Sequence, residues 1–172
     1  MKITNKILLK KIIHNLPIII LYFLVLTGFD LSFFFYDINF SFNFVYLIIF
    51  FFVLKNPETL SYALIFLAGI INDIVQNFPI GISSINYLLL CAIAVFIRSR
   101  IIVPSLLYVM ILFFIAILIV SSVNYTILVM IFGVPIKYET LITSLILTCL
   151  MYPILSKIMS AKIFLAIGTE DV

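Results

Sequence analysis

Residues 101–136 read IIVPSLLYVMILFFIAILIVSSVNYTILVMIFGVPI, a run of 36 positions without a charged side chain. As one helix this run would measure about 54 Å, well beyond a hydrocarbon core of about 30 Å. We therefore divide it into a membrane span at 104–123 and an outer interfacial segment at 124–137, which contains Gly133 and Pro135. Two spans joined by a hairpin are the alternative. In both interpretations the run predicts a protein that lies in a membrane.

The rest of the chain has the same apolar character. Apolar residues make up 66% of the 172 residues and charged residues 10%, whereas soluble proteins carry about 25% charged residues. We expect an all-α, polytopic protein with a single membrane domain at 1–172. A polar and aromatic connection at 30–39 separates the first two spans, and the second needs lipid thinning or burial because it is short. The six predicted spans are 12–29, 40–54, 57–76, 84–97, 104–123 and 140–156.

The basic residues predict that both termini lie on the cytoplasmic side. Cytoplasmic loops of membrane proteins are enriched in Lys and Arg. With six spans and an inside start, Lys137 falls outside and the other nine of the ten basic residues fall inside. The charge therefore indicates topology, and no basic stripe suggests nucleic acid. The inner residues are Lys2, Lys6, Lys10, Lys11, Lys55, Arg98, Arg100, Lys157 and Lys162.

Local signals predict the ends of the third and fourth helices. The sequence Asn-Pro-Glu at 56–58 is typical of a helix start, through a capping side chain, a fixed φ and a negative charge. Pro79 and Gly81 predict a tight turn after the third helix. Ser83 or Ser84 is expected to cap the fourth helix.

Asp73 falls in the last turn of the third helix, near the predicted outer boundary. A negative charge there meets the negative end of the helix dipole, at a cost of about 0.3–1 kcal/mol. An ionisable residue at membrane depth is by default a functional candidate with a partner, and a place among wet headgroups is the alternative. Ser61, Ala68, Gly69 and Asn72 give the same helix a small and polar stripe. Small residues let backbones approach, so this face is expected to pack against another helix, preferably one within the chain.

The segment from about 62 to 90 resembles the MreD family of rod shape-determining proteins. That family has a Gly-x-x-x-Asp helix end, a short turn, then Pro-x-Gly and an apolar helix. The matching residues are Gly69-Ile70-Ile71-Asn72-Asp73 and Pro79-Ile80-Gly81, with Asn72 where an apolar residue would be expected. The candidate packing or partner residues are therefore Gly69, Asn72, Asp73, Pro79 and Gly81.

The resemblance implies a function as well as a fold. Members are non-enzymatic proteins of the bacterial cytoplasmic (inner) membrane that support cell-shape maintenance and lateral peptidoglycan synthesis. Their implied partners are MreC, MreB, RodA and penicillin-binding protein 2, besides membrane lipid. Their fold is similar to the substrate-binding subunits of energy-coupling-factor transporters. The resemblance implies no catalytic residue, no cofactor and no metal site.

Two other functions compete with the scaffold. A transport subunit would hold a neutral vitamin through Asn86, Tyr87 and Ser121, although each of these residues also suits an interhelical hydrogen bond. An intramembrane aspartyl peptidase would use Asp30 and Asp73 as a carboxylate pair, but the surrounding motifs of that family are absent from the sequence.

The remaining polar and aromatic residues have simpler interpretations. Cys91 and Cys149 lie in apolar runs and read as packing residues. The single histidine, His14, lies beside the basic start and makes a poor metal site alone. Four tyrosines near the predicted outer boundary suit an aromatic belt or a partner surface. They are Tyr36, Tyr46, Tyr125 and Tyr138.

Overall fold

The computed structural model describes residues 17–28, 32–35, 38–55, 57, 60–100, 105–133 and 138–167. Six helices and one β-hairpin make up this part of the chain, so the helical class predicted from the sequence is confirmed. The helices are α1 (Pro17–Thr27), α2 (Phe44–Lys55), α3 (Tyr62–Gln76), α4 (Ile82–Arg100), α5 (Leu106–Phe132) and α6 (Tyr138–Ile167). The strands are β1 (Ser32–Phe35) and β2 (Ile38–Ser41).

Three helices are long and apolar enough to cross a membrane. They are α4, α5 and the part of α6 from Tyr138 to Met159. Helices α1, α2 and α3 are apolar but have only 10 to 17 residues. At 1.5 Å per residue, α2 is about 18 Å long, short of the roughly 30 Å hydrocarbon core. Among the described residues, three helices therefore meet the length of a membrane crossing where the sequence predicts six spans.

Helix α2 lies inside the helical bundle. Every residue from Val45 to Val53 is buried, as expected for a helix that is apolar on all sides. The ring of Phe50 lies 4.9 Å from that of Phe113 on α5, and Phe113 stacks on Tyr152 of α6 at the same centroid distance. Burial against neighbouring helices, one of the two solutions left open by the sequence, therefore accommodates the short second run.

Strands β1 and β2 replace part of the irregular connection predicted at 30–39. They pair antiparallel, with Ser32 opposite Ser41 and Phe35 opposite Ile38, and β2 packs beside α6. Helix α2 consequently starts at Phe44, and the predicted start at residue 40 is wrong. Phe and Ile favour strands, but a four-residue strand is too short for its alternation to stand out from the apolar runs beside it.

The start of α3 also differs from the prediction. This helix begins at Tyr62 after Ser61, five residues later than the predicted start at 57. Helix α2 continues through Lys55, so six residues separate it from α3. Asn56 and Glu58, the predicted cap and first-turn acid, lie outside the described residues.

Helices α5 and α6 are longer than the spans predicted for them. Residues 124–132, predicted at an outer interface, continue α5 as regular helix. The helix ends where Gly133 takes a φ of +63°, a left-handed conformation that suits glycine. Helix α6 extends over Tyr138–Ile167, beyond the predicted 140–156, and includes Pro153.

Candidate functional site

The corner between α3 and α4 holds the candidate site. Asp73 is the only charged side chain that is buried among the described residues, with 0% of its surface exposed. Its carboxylate accepts the backbone N–H of Gly81 at 2.7 Å and that of Ser83 at 3.0 and 3.3 Å. Both carboxylate oxygens therefore bind the backbone at the start of the next helix.

These hydrogen bonds cap α4 from a neighbouring helix. Helix α4 begins at Ile82, and the residue before it, Gly81, has no side chain that can accept an amide hydrogen bond. Asp73 supplies the missing oxygen atoms, while the carbonyl of Pro79 accepts the N–H of Ile82 at 3.4 Å. Three of the four amides that a helix start leaves unpaired thereby find acceptors.

The prediction that Ser83 or Ser84 caps α4 is therefore wrong. Ser83 and Ser84 lie inside the first turn of the helix and not at its N-cap position. The hydroxyl of Ser84 instead donates to the carbonyl of Phe66 on α3 at 3.0 Å. A serine near the start of a helix is a sound capping signal by itself, but here the turn geometry gives that position to glycine.

The location of Asp73 also explains its unfavourable place in α3. A carboxylate is disfavoured at the C-terminal end of one helix by about 0.3–1 kcal/mol, and it is favoured by a similar amount at the N-terminal end of another. Asp73 lies at the C-terminal end of α3 and beside the N-terminal end of α4, so the two dipole effects on its charge largely cancel. The hydrogen bonds then decide the balance, because a buried amide left without an acceptor costs about 1–3 kcal/mol.

The chain leaves α3 through a left-handed turn. Asn77 has a φ of +55°, its N–H donates to the carbonyl of Ile74 at 3.4 Å, and the N–H of Phe78 donates to that of Asp73 at 2.9 Å. These two bonds form a Schellman motif. Backbone and side chain of Asp73 therefore hold both ends of the turn from 77 to 81.

Helices α3 and α4 cross closely at Gly69. A Cβ atom added at this glycine would lie 2.4 Å from the Cα and 2.5 Å from the backbone nitrogen of Ser84. Neither backbone atom can move aside without shifting a helix. One turn further along α3, the side-chain amide of Asn72 donates to the hydroxyl of Ser83 at 3.0 Å. The small and polar face of α3 therefore packs against α4 of the same chain.

All five predicted site residues lie at this corner. Gly69 permits the close crossing, Asn72 and Asp73 bind the first turn of α4, and Pro79 and Gly81 form the turn between the helices. Of the other residues in the predicted stripe, Ala68 is buried and Ser61 is exposed. Together, these hydrogen bonds and the close packing fix the start of α4 against the end of α3.

The residues assigned to a vitamin site lie on α4 and α5. Asn86 and Tyr87 are buried in α4, and Ser121 on α5 is half-buried. The side-chain oxygen of Asn86 has no hydrogen-bond partner among the described residues, and the ring of Tyr87 meets Tyr46 edge-on at 5.8 Å.

The acidic and metal-binding candidates can be placed only in part. Asp30, the second residue of the predicted peptidase pair, lies outside the described residues, and so does His14. No group of three or more His, Cys, Asp or Glu side chains is close enough to hold a metal within the described ranges. Cys91 is buried, Cys149 is half-buried, and both are free thiols.

A cleft between α5 and α6 is the feature that the sequence analysis missed. It has a volume of about 430 Å³, within the range of small-molecule sites. Tyr125 and Tyr138, predicted as part of an aromatic belt, both line it. Its signal in the sequence is the group of hydroxyl side chains within α5, but the facing wall comes from α6. The lining residues are Leu118, Ser122, Tyr125, Thr126, Val129, Met130, Tyr138, Leu141 and Leu145.

No family model, curated protein or solved structure matches this chain.

Proposed function

We propose that this chain is a non-enzymatic membrane scaffold of the bacterial elongation machinery. In this proposal it is a multi-pass protein of the cytoplasmic membrane, with six spans and both termini inside. It docks MreC and the wall-synthesis proteins RodA and penicillin-binding protein 2, and works beside MreB in cell-shape maintenance. The proposal rests on the resemblance of the α3–α4 segment to the MreD family.

The observation that carries the proposal is the set of contacts that fixes the start of α4 against the end of α3. The residues that carry the resemblance, Gly69, Asp73, Pro79 and Gly81, lie together there and hold the turn at both ends. A turn held in this way presents a fixed surface, and fixing a surface in advance lowers the entropy lost when a partner binds.

The same turn carries two large apolar side chains on its outside. Phe78 is 51% exposed and Ile80 is 73% exposed. Under the proposed topology the turn faces the outer side of the membrane, where the periplasmic part of MreC would meet it. Asp73 then acts as a positioning residue, because its carboxylate is used inside the chain and the neighbouring apolar residues form the contact.

Co-purification in mild detergent tests this function. Tagged wild-type protein is expected to retain MreC together with RodA and penicillin-binding protein 2, as identified by mass spectrometry. The variant Ile80→Ala should retain less MreC, whereas Ile85→Ala should not, since Ile85 is also exposed (51%) but lies inside α4. Recovery of none of these partners by the wild-type protein would exclude the scaffold.

A second candidate is the substrate-binding subunit of a vitamin-type transporter, for which the α5–α6 cleft would have to be the ligand site. The volume of this cleft, about 430 Å³, suits a small molecule. The same co-purification distinguishes this function, because a transport subunit would retain an ATPase module and its membrane coupling subunit in place of MreC.

A further inference from the structure

We infer that the α5–α6 cleft is a binding site for one chain of a membrane lipid. Its lining spans Leu118 to Met130 on α5, so the cleft is about 18 Å long at the helical rise per residue. It lies between two helices that are long and apolar enough to cross a membrane. An elongated cleft on such helices has access to the acyl chains of the bilayer.

A helix of another protein is too wide to enter the cleft. A volume of about 430 Å³ spread over about 18 Å gives a mean cross-section of about 24 Å², whereas a helix with its side chains is about 10–12 Å wide. A helix could therefore only lie across the opening of the cleft, whereas an extended hydrocarbon chain is slender enough to fill it.

The chemistry of the lining indicates how the lipid is oriented. Leu118 and Leu145 are the lining residues furthest along the two helices from the segment that joins α5 to α6, and they give that end an aliphatic surface. None of the described lining residues is charged. The hydroxyl of Thr126 is used within α5, where it donates to the carbonyl of Ser122 at 2.8 Å. Within the described part of the chain, the hydroxyls of Tyr125 and Tyr138 form no hydrogen bond.

The tyrosine hydroxyls can therefore donate to an uncharged acceptor such as an ester carbonyl. The acyl chain then points toward Leu118 and Leu145, and the ester group lies between the levels of Tyr125 and Tyr138. Since the described lining residues are all uncharged, the lipid is held by its chain and ester, and its headgroup contributes little. This site is independent of the scaffold proposed above, because none of its residues belongs to the α3–α4 corner.

Native mass spectrometry of the whole protein tests this site. The protein is stripped of lipid in detergent and titrated with dioleoylglycerol or dioleoyl phosphatidylglycerol. The expected result is one saturable site per chain that takes both lipids within about threefold of each other. Binding of the charged lipid alone, no saturable site, or retention of a water-soluble molecule in its place would overturn the inference.

Matched variants separate the cleft from lipid that merely surrounds the protein. Leu118→Trp fills the cleft and should weaken binding at least tenfold. Ile119→Trp should leave it unchanged, since Ile119 is similarly exposed (42% against 46%) but lies outside the lining. Equal binding by the two variants would show that the lipid is adventitious.

Two further variants keep the test decisive if Leu118→Trp does not fold. Leu145→Phe fills the cleft from its α6 wall, with Ile146→Phe as its control outside the lining. Tyr125→Phe removes one donor and should weaken binding about fivefold, the equivalent of one hydrogen bond. Unchanged binding in both Leu145→Phe and Tyr125→Phe would refute the site.

Discussion

Replacing Asp73 by alanine should destabilise the folded protein by about 2–4 kcal/mol. The structure gives the carboxylate two backbone donors, the N–H groups of Gly81 and Ser83. Losing the acceptor of a buried donor costs about 1–3 kcal/mol for each group. Gly81 is half-buried, so its amide recovers part of this loss and the sum stays below the upper limit.

The conservative variant Asp73→Asn should fall between alanine and the wild-type protein. Its amide keeps one oxygen as an acceptor but places an NH₂ donor against the second backbone donor. We therefore expect a loss of about 1–2 kcal/mol. Removing the charge adds little to this figure, because the effects of the two helix dipoles on Asp73 oppose each other.

The measurement is equilibrium unfolding of the detergent-solubilised protein in rising SDS, followed by far-ultraviolet circular dichroism. Asn72→Ala is the matched control, since it removes a single neutral hydrogen bond to Ser83 from the adjacent position and should cost about 0.5–1.5 kcal/mol. If Asp73→Ala is no more destabilising than Asn72→Ala, the carboxylate of Asp73 does not hold the start of α4 in place.

Three further variants test other parts of the fold in the same unfolding experiment. Gly69→Ala should destabilise the protein by about 1–3 kcal/mol, because the added methyl group would clash with the Ser84 backbone. This loss should appear even though alanine is the better helix former by about 1 kcal/mol. A gain in stability would show that the helices do not cross closely there. Asn77→Ala should cost about 1–2 kcal/mol because of its left-handed backbone, whereas Asn77→Gly should be neutral or stabilising, and equal losses would contradict the turn. Phe113→Ala should cost about 3–5 kcal/mol, since this fully buried ring lies between Phe50 and Tyr152; a loss below 1 kcal/mol would place it outside the core.

The sequence by itself was sufficient to predict the features that depend only on residues close together in the chain. The long uncharged runs predict apolar helices, because composition alone decides whether a segment can leave water. Pro79 and Gly81 predict the chain reversal after α3, because backbone preferences act locally. Asp73 is also recognisable as a candidate for a local reason, because its negative charge lies at the C-terminal end of a helix.

Local sequence patterns did not predict the correct bounds of several helices and strands. The sequence at 56–58 had every signal of a helix N-terminus, yet α3 begins only at Tyr62. The stretch containing Asn124 read as interfacial for its polarity, but a helix tolerates scattered hydroxyl and amide groups and ended only at Gly133. Four-residue strands gave no periodic signal strong enough to detect.

Only the tertiary structure decided what Asp73 binds and which helix surfaces meet. Its two partners lie 8 and 10 residues away in the chain, and their amides face it because Gly69 lets α3 and α4 approach. The burial of α2 and the cleft between α5 and α6 likewise depend on how separate helices are arranged in space. Sequence periodicity shows which face of a helix is apolar, but it does not distinguish lipid from another helix as the cover, since both offer the same apolar surroundings.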